Sequence, residues 1–225
     1  MRALIVADGA PSSRAALDAA WPGWDLGVEL VVAADGGARA AAKLGLTLDA
    51  WTGDGDSLGA SEREALVEAG VPLLVAPTDK DESDTELAVG EAIRRGATDL
   101  TILGALGGER LDHALANVTL LASPALADRP TRLLDPAARV SLLVGGTPRD
   151  RLESDGRVGD LVTLLPLGGS AGGVTVSGLR YPLRHERLEA GSTRGLSNVR
   201  TAETARIRID SGWLLVLETP ATLTR

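Results

Sequence analysis

Acidic side chains are concentrated in two short segments of the sequence. Asp54 and Asp56 flank Gly55, and about one helix further on Asp81 and Asp84 belong to a second acidic segment. Carboxylate oxygens suit Mg²⁺, which typically takes one or two of them and completes its shell with substrate phosphates and water. Because the two segments fall in separate loops, they predict one magnesium site for phosphate chemistry, assembled from both.

Each acidic segment also has a simpler structural interpretation. Asp and Gly are common turn residues, so Gly53–Ser57 fits an acidic turn as well as a ligand loop. In the second segment, Ser83 and Glu86 match a capping box, and acids near a helix start complement the helix dipole. However, residues 79–86 hold five acids, and a cap does not need so many. Their mutual repulsion favours a site where Lys80 and a bound cation offset it.

A glycine-rich turn, Gly104–Gly108, follows an apolar segment and precedes a helical one. Backbone N–H groups at such a junction can bind phosphate, and Arg110 can offer two donors to phosphoryl oxygens. The segment is not a Walker A loop, because the chain has no Gly-Lys-Ser/Thr ending, and it lacks the G-x-G-x-x-G spacing. A tight turn beside a surface ion pair is the alternative. Asp35-Gly36-Gly37 is a further loop that fits either a ligand contact or a helix start.

The order of predicted elements shows how these loops are positioned. Short apolar segments alternate with helical ones in the first half of the chain. The predicted strands are Leu4–Ala7, Leu30–Ala34, Ala50–Thr52, Leu73–Ala76 and Leu100–Leu103, and the predicted helices are Ser12–Ala20, Ala38–Leu44, Ser61–Ala69, Ser83–Arg95 and Leu111–Leu121. This alternation predicts an α/β fold with a mostly parallel sheet and helices on both faces. Ligands bind beyond the carboxyl ends of such strands. We therefore expect three of the loops, those at Asp54, at Asp81 and at Gly104–Asp112, to meet at one edge of the sheet.

The pattern changes near Arg129–Asp150, where helical periodicity ends. Short apolar segments separated by Gly and Pro follow, and Ala205–Ile209 alternates as a half-buried strand does. Asp210-Ser211-Gly212 then fits a hairpin turn that leads into Trp213–Leu217. We therefore expect an α/β domain over residues 1–135 and a smaller antiparallel β-sandwich over residues 136–225.

Composition excludes several classes of function. The chain has 225 residues, a formal charge of −8 and no dense Lys/Arg run, which argues against nucleic-acid binding. It contains no cysteine, so disulfides and thiolate chemistry are excluded, and this fits a reducing compartment. No apolar run approaches the roughly 18–20 residues of a membrane span, and the short apolar N-terminus fits a buried strand better than a signal peptide. We expect a cytoplasmic protein without membrane partners.

The motifs, taken in order, resemble those of the thiamine pyrophosphokinase (thiamine diphosphokinase) family. Gly53–Ser57 resembles the family's Gly-Asp-x-Asp-Ser motif, and Lys80–Asp84 its Lys-Asp-x-Thr-Asp motif with Ser83 for threonine. Gly104–His113 resembles a Gly-Gly-Arg-x-Asp-His motif, although Glu109 adds one residue to the usual spacing. Other matching segments are Ala34–Ala38, Val176–Leu183 and Gly195–Asn198.

The resemblance implies an activity and a set of roles. It implies transfer of pyrophosphate from ATP to the hydroxyl of thiamine, giving thiamine diphosphate and AMP, in a homodimer with the active site at the subunit interface. The implied catalytic residues are Asp54, Asp56, Asp81, Asp84, Arg110 and Asp112, of which the first four would hold Mg²⁺. The implied ATP contacts are Asp35, Gly36, Gly37, Lys80, Gly104, Gly107 and Gly108. The implied thiamine contacts, in the β domain, are Ser197, Asn198 and Trp213.

Two other classes of function remain open from the sequence. One is a different Mg²⁺-dependent nucleotide phosphotransferase, which would share the acidic loops without selecting thiamine. The other is a non-catalytic sensor that binds a thiamine compound or a nucleotide. The acidic set argues against a sensor or a purely structural module, because neither needs so many mutually repelling carboxylates.

Overall fold

A computed structural model of the protein describes residues 1–10 and 12–221. The chain divides into two compact units. The first consists of Met1–Leu120 with Leu133–Pro136, and the second of Leu121–Arg132 with the chain from Ala137 onward. Within the described residues, no helix is long and apolar enough to cross a membrane.

Strands and helices alternate along the first unit, as the sequence predicts. In chain order the elements are β1 (Arg2–Val6), α1 (Arg14–Ala20), β2 (Val28–Ala34), α2 (Gly37–Lys43), β3 (Ala50–Gly53), α3 (Ala60–Glu68), β4 (Leu73–Val75), α4 (Asp84–Arg94), β5 (Asp99–Leu103) and α5 (Leu111–Leu120), followed by β6 (Thr131–Asp135).

The first five strands form a parallel sheet in the order β5-β1-β2-β3-β4. Leu4 of β1 lies opposite Val31 on one side and Thr101 on the other. The central strands are apolar and buried along nearly their whole length, as expected for a parallel sheet covered by helices. From β1 the chain adds strands in one direction up to β4 and then places β5 on the opposite side. The loops after β1 and β5 therefore flank the topological switch point, where such sheets bind ligands.

Local capping signals set the helix starts, with one correction to the predicted caps. Ser83 caps α4, since its hydroxyl accepts a hydrogen bond from the Glu86 N–H at 3.2 Å. Ser61-Glu62-Arg63-Glu64 also has the spacing of a capping box and so predicts Ser61 as a cap, but this prediction is wrong, because α3 begins at Ala60. Gly59 is the N-cap, and its N–H donates to Glu62 Oε2 at 2.8 Å.

The second unit is an antiparallel β-sandwich. Its strands are β7 (Ala138–Val144), β8 (Arg151–Asp155), β9 (Leu161–Pro166), β10 (Ala171–Ser177), β11 (Leu183–Leu188), β12 (Asn198–Val199), β13 (Thr204–Arg208) and β14 (Trp213–Thr219). One sheet has the order β12-β9-β14-β7 and the other β11-β10-β13-β8. Leu143, Val162 and Val216 from the first sheet pack against Val174 and Ile207 from the second in one buried core. The predicted fold class is thus confirmed for both parts of the chain.

The predicted hairpin at Asp210–Gly212 is wrong. The preceding strand, β13, pairs with β8 and β10, whereas the following strand, β14, pairs with β7 and β9 in the other sheet. The turn therefore carries the chain from one sheet to the other. Gly212 has a φ of 81°, and a Cβ there would lie 2.5 Å from the Ser170 carbonyl oxygen, so this crossing needs glycine.

Candidate active site

Loops that follow all five parallel strands of the first unit line one cavity of about 440 Å³ at the carboxyl edge of the sheet. The loop after β1 contributes Asp8, the loop after β2 contributes Asp35, and Ser57 follows β3. Asp84 stands at the start of α4, after β4, and Gly104–Arg110 without Leu106 follow β5. The edge where the sequence places ligand chemistry is therefore concave and bears several carboxylates.

The loops after β1 and β5 are in close backbone contact at this edge, at positions occupied by glycine. A Cβ on Gly9 would lie 2.0 Å from the Gly104 carbonyl oxygen, and a Cβ on Gly104 would lie 2.3 Å from the Ala7 oxygen. Gly104 also has a φ of 66°. Only glycine fits both positions, so the two loops at the switch point are held together and leave their N–H groups near the cavity.

Two carboxylate oxygens in the cavity wall are buried without a hydrogen-bond partner, Asp35 Oδ1 and Asp84 Oδ1. Lys80 Nζ lies 3.0 Å from Asp84 Oδ1, but this ion pair lacks hydrogen-bond geometry. Leaving a buried anionic oxygen without a donor is costly. Lys80 offsets part of the charge on Asp84, and a cation bound at Asp35 Oδ1 would offset the cost there.

Asp35, Asp84, Asp54 and Lys80 form one electrostatic cluster. Burial raises the pKa of Asp35, and the negative charges of Asp84 and Asp54 raise it further, against the Ser57 and Gly36 hydrogen bonds that lower it. Burial and the charge of Asp35 also raise the pKa of Asp8. Burial opposes ionisation of Lys80, but the neighbouring Asp84, Asp54 and Asp35 carboxylates outweigh it and raise the Lys80 pKa. Like charges are thus gathered in the cavity at a cost in free energy.

We expect Asp35→Asn to raise the thermal midpoint of the protein near neutral pH in a chelator. The raised pKa of Asp35 means that its ionised form is less stable in the folded than in the unfolded chain. Wild-type stability therefore falls as pH rises through that pKa, and the variant escapes this loss. Asn also tolerates the left-handed backbone at position 35, where φ is 51°.

Thermal unfolding of the wild type and the variant between pH 4 and pH 8 measures this effect. The difference between their thermal midpoints should become smaller as the pH falls towards 3.8, the ordinary pKa of the side chain. Asp79→Asn, which changes an exposed acid in the same acidic segment as Asp84, is the matched control and should show no such trend. A lower midpoint for Asp35→Asn at neutral pH would contradict the electrostatic account.

The remaining predicted carboxylates lie in different surroundings. Asp54 is half-buried and accepts a hydrogen bond from the Asp56 N–H at 2.9 Å, which closes a local turn. Asp56 and Asp81 are exposed, and neither is among the residues that line the cavity. Over residues 1–10 and 12–221, no three His, Cys, Asp or Glu side chains converge into a site that could hold a metal unaided.

Arg39 on α2 holds the loop that follows β3. Its Nη2 donates to the Ser57 carbonyl oxygen at 2.6 Å, and its guanidinium also binds both oxygens of Glu62. The Arg39 and Gly59 hydrogen bonds lower the pKa of Glu62 to about 2. The same glutamate thus caps α3 and anchors Arg39, which fixes the acidic loop against α2.

The glycine-rich turn contributes Gly104, Gly107, Gly108 and Arg110 to the cavity wall. Arg110 is exposed and forms a two-pronged ion pair with Asp112, from Nε at 2.9 Å and from Nη2 at 2.6 Å. This pair holds the pKa of Asp112 well below its usual range. Arg110 therefore reaches the cavity mouth with its guanidinium already oriented by Asp112.

Gly36 and Gly37 make room at the start of α2. A Cβ on Gly36 would lie 2.3 Å from the Asp8 carboxylate, and one on Gly37 would lie 2.0 Å from the Val6 carbonyl oxygen. Both residues are buried, and they allow α2 and Asp8 to approach β1 closely.

The predicted thiamine contacts lie in the second unit. Asn198 is 6% exposed, and its amide bridges the Tyr181 backbone, accepting from N at 2.9 Å and donating to O at 2.8 Å. Ser197 has a φ of 56°, and its N–H donates to Thr163 Oγ1 at 3.0 Å. Trp213 opens β14 with 40% of its surface exposed, and Tyr181 is 61% exposed. Asn198 is thus engaged in holding the Tyr181 segment.

Two residues that line the cavity, Asp8 and Asn117, were not predicted from the sequence. Asn117 donates from Nδ2 to the Ala105 carbonyl oxygen at 3.0 Å and so braces the glycine-rich turn. Asp8 directly follows the apolar run of β1, which is the one local signal that could have identified it.

Comparison with known proteins agrees with this geometry. Residues 26–132 match the model for the thiamin pyrophosphokinase catalytic domain, and residues 151–214 match the model for its vitamin B1 binding domain. The chain is 29% identical to a thiamine pyrophosphokinase of Bacillus subtilis over 146 residues, covering 65% of this chain and 66% of the relative. The chain spans about two thirds of the length of the curated relatives it matches.

Solved structures show the same architecture. A crystal structure of thiamine pyrophosphokinase from Bacillus subtilis superposes with a TM-score of 0.82 at 23% identity, covering 98% of this chain and 99% of that one. A thiamin pyrophosphokinase from Geobacillus thermodenitrificans gives a TM-score of 0.79 at 26% identity, with 97% of each chain covered.

The matches to both family models identify a transferase, built here from an α/β unit and a β-sandwich. The two family models together match residues in both units. The chain belongs to the thiamine pyrophosphokinase family, and the family and fold support synthesis of thiamine diphosphate from thiamine and ATP.

Proposed function

We propose that this protein transfers the pyrophosphoryl group of ATP to the hydroxyl of thiamine, releasing AMP. The observation that carries the proposal is the cavity at the switch point, where carboxylates and a glycine-rich turn meet in a chain that matches both family domains. Lys80 pairs with Asp84, which belongs to the wall of this cavity. The hydroxyl oxygen would attack the β-phosphorus of ATP in line with the departing AMP oxygen.

The residues present fit a magnesium ion. Mg²⁺ usually takes one or two carboxylates and completes its shell with phosphate oxygens and water. The unpartnered Asp35 Oδ1 and Asp84 Oδ1 are oxygens of this kind, and Asp54 adds negative charge nearby. We therefore place Asp35 beside Asp84 and Asp54 as the core of the metal site. Asp56 and Asp81, the other predicted ligands, are proposed as outer residues that add negative charge around it.

Bound Mg²⁺ would neutralise phosphate charge. Protein groups would bind the phosphates and stabilise the remaining charge. Lys80, held beside Asp84, would stabilise charge on the transferring phosphates. Arg110 would bind phosphoryl oxygens at the cavity mouth, aligned by its pair with Asp112. Backbone N–H groups of Gly104, Gly107 and Gly108, together with the loop of Asp35, Gly36 and Gly37, would contact ATP.

Thiamine recognition is assigned to the second unit. We propose that Ser197 and Trp213 contact thiamine, with Trp213 offering an exposed aromatic face. Asn198 would act there through the Tyr181 segment that it holds. A homodimer, with the α/β part of one subunit and the β part of its partner completing the site, and a cytoplasmic location are proposed from the family resemblance.

The test is to incubate the purified protein with ATP, Mg²⁺ and thiamine and to separate the nucleotide and thiamine products. We expect AMP and thiamine diphosphate in equal amounts, with no product when Mg²⁺ is chelated. ADP in place of AMP would instead identify a different phosphotransferase. Tight thiamine binding without turnover would identify a sensor, and either result would overturn the proposal.

A further inference from the structure

Arg39 on α2 and Glu62 on α3 form an ion pair outside the wall of the carboxylate-lined cavity. The Arg39 guanidinium binds both Glu62 oxygens, from Nε at 2.5 Å and from Nη2 at 2.6 Å. Both side chains are partly exposed, and an exposed pair by itself contributes little to stability. The importance of the pair therefore depends on what else the two side chains hold.

Both members of the pair bind the backbone of the segment that leads from β3 into α3. Arg39 Nη2 donates to the Ser57 carbonyl oxygen at 2.6 Å, and the Gly59 N–H donates to Glu62 Oε2 at 2.8 Å. The two parallel bonds between guanidinium and carboxylate fix the relative orientation of these groups. The Arg39–Glu62 pair thus holds the segment at Ser57 and at Gly59.

Ser57 connects this segment to Asp35. Ser57 lines the cavity. Burial raises the pKa of Asp35, and a hydrogen bond from the Ser57 side chain acts against that effect. The backbone of Asp35 is held separately by β3, because the Trp51 indole donates to its carbonyl oxygen at 2.8 Å and its N–H donates to Thr52 O at 2.8 Å. The backbone is therefore fixed by β3, whereas the direction of the carboxylate depends on Ser57.

The charge of Arg39 also acts on the carboxylates of the cavity. The Glu62 hydrogen bond raises the pKa of Arg39 against a desolvation effect, and the charges of Asp8 and Asp35 raise it further. In return, Arg39 lowers the pKa of Asp8 against the larger effects of burial and of Asp35. The guanidinium thus reduces repulsion between acids in the cavity wall without lining the cavity itself.

We infer that Arg39 and Glu62 are positioning residues for the metal site, because they hold Ser57 where it directs the Asp35 carboxylate towards the cation. The magnesium ion concerned is the one assigned to Asp35 and Asp84 under the proposed function, on which this inference rests. Groups that hold a metal ligand in place change metal affinity by about 10- to 100-fold when they are lost. Since Arg39 acts through Ser57, its loss should weaken only the metal-dependent part of nucleotide binding.

The test is isothermal titration calorimetry of the full chain with a non-hydrolysable ATP analogue, once with Mg²⁺ and once with EDTA. We expect Arg39→Gln to bind the magnesium complex at least about tenfold more weakly than wild type. The metal-free analogue should bind equally to both proteins. Arg39→Lys keeps the charge but lacks the planar fork that binds Glu62 and Ser57 together, so it should not restore binding of the magnesium complex.

Two further variants complete the experiment. Glu62→Gln keeps an oxygen for the Gly59 N–H but breaks the ion pair, so it should weaken the same binding and provides the test if Arg39→Gln does not fold. Adding it to Arg39→Gln should cause no further loss, because the two side chains act as one unit. Arg94→Gln is the matched control. Arg94 also binds both oxygens of a glutamate, Glu91, but at the end of α4 remote from the cavity, so both titrations should be unchanged.

Three results would overturn the inference. One is undiminished binding of the magnesium complex by folded Arg39→Gln and Glu62→Gln, or its full recovery in Arg39→Lys. Another is an equal loss in EDTA, which would mean that Arg39 supports nucleotide binding without the metal. The third is wild-type binding that does not depend on Mg²⁺. If the wild type binds the magnesium complex but forms no AMP, the proposed function fails, whereas a tenfold loss in Arg39→Gln would still support the positioning role.

Discussion

Asp84→Asn should lower the rate of AMP formation by about 100- to 1,000-fold, the scale on which removing one charge-stabilising group acts. Asp84 Oδ1 is buried, faces the cavity and has no hydrogen-bond partner. Asn keeps the size of the side chain but removes the negative charge that would bind Mg²⁺ and orient Lys80. Because Ser83 still caps α4 through its own hydroxyl, the helix and the fold should persist.

The comparison that isolates this effect is steady-state turnover of Asp84→Asn against Asp79→Asn. Asp79 lies in the same acidic segment but is exposed and does not line the cavity, so its loss should change turnover by less than about twofold. Circular dichroism and the thermal midpoint report whether both variants are folded. Near-normal turnover of folded Asp84→Asn would remove this residue from the site.

Glu218→Gln should lower the free energy of unfolding by about 3–5 kcal/mol, the usual cost of breaking a buried ion pair from one side. Glu218 is 3% exposed and serves as acceptor for Arg139, Arg200 and Ser154. The Gln side chain fills the same space, but its amide cannot balance either guanidinium. Arg200, whose side chain is 1% exposed, would then remain buried without the carboxylate that it binds.

Equilibrium denaturation in urea measures the loss, and Glu153→Gln is its control. Glu153 also binds one arginine through both oxygens, at 2.8 and 3.1 Å, but both partners are largely exposed. Solvent screening makes such a pair nearly neutral for stability. Equal, small effects of the two substitutions would show that the buried cluster does not hold the sandwich together.

The sequence predicts those parts of the first unit that depend on local signals. Buried parallel strands appear in the sequence as apolar runs, and the residue after each run lies at the carboxyl edge of the sheet. This is why the glycine-rich turn could be placed at this edge from the sequence, whereas the loop at Asp35 fitted either a ligand contact or a helix start. Ser83 was predictable as a cap because its hydroxyl accepts from the N–H of Glu86, which is only three residues away in the sequence.

The missed features depend on contacts between distant residues. Asp8 becomes part of the cavity because β5 pairs with β1, and nothing near Asp8 in the sequence encodes that neighbour. The turn at Asp210–Gly212 has hairpin residues, yet pairing partners far along the chain draw β13 and β14 into different sheets. Similarly, Glu62 caps α3, but its side chain is also held by Arg39, which is distant in the sequence.

The most direct measurement is a crystal structure of the protein with Mg²⁺ and a non-hydrolysable ATP analogue. We expect the metal at about 2.0–2.1 Å from oxygens of Asp35 and Asp84, with the triphosphate lying along Gly104–Gly108 and within reach of Lys80. A nucleotide bound away from the carboxyl edge of the parallel sheet, or a metal held without Asp35 and Asp84, would contradict it.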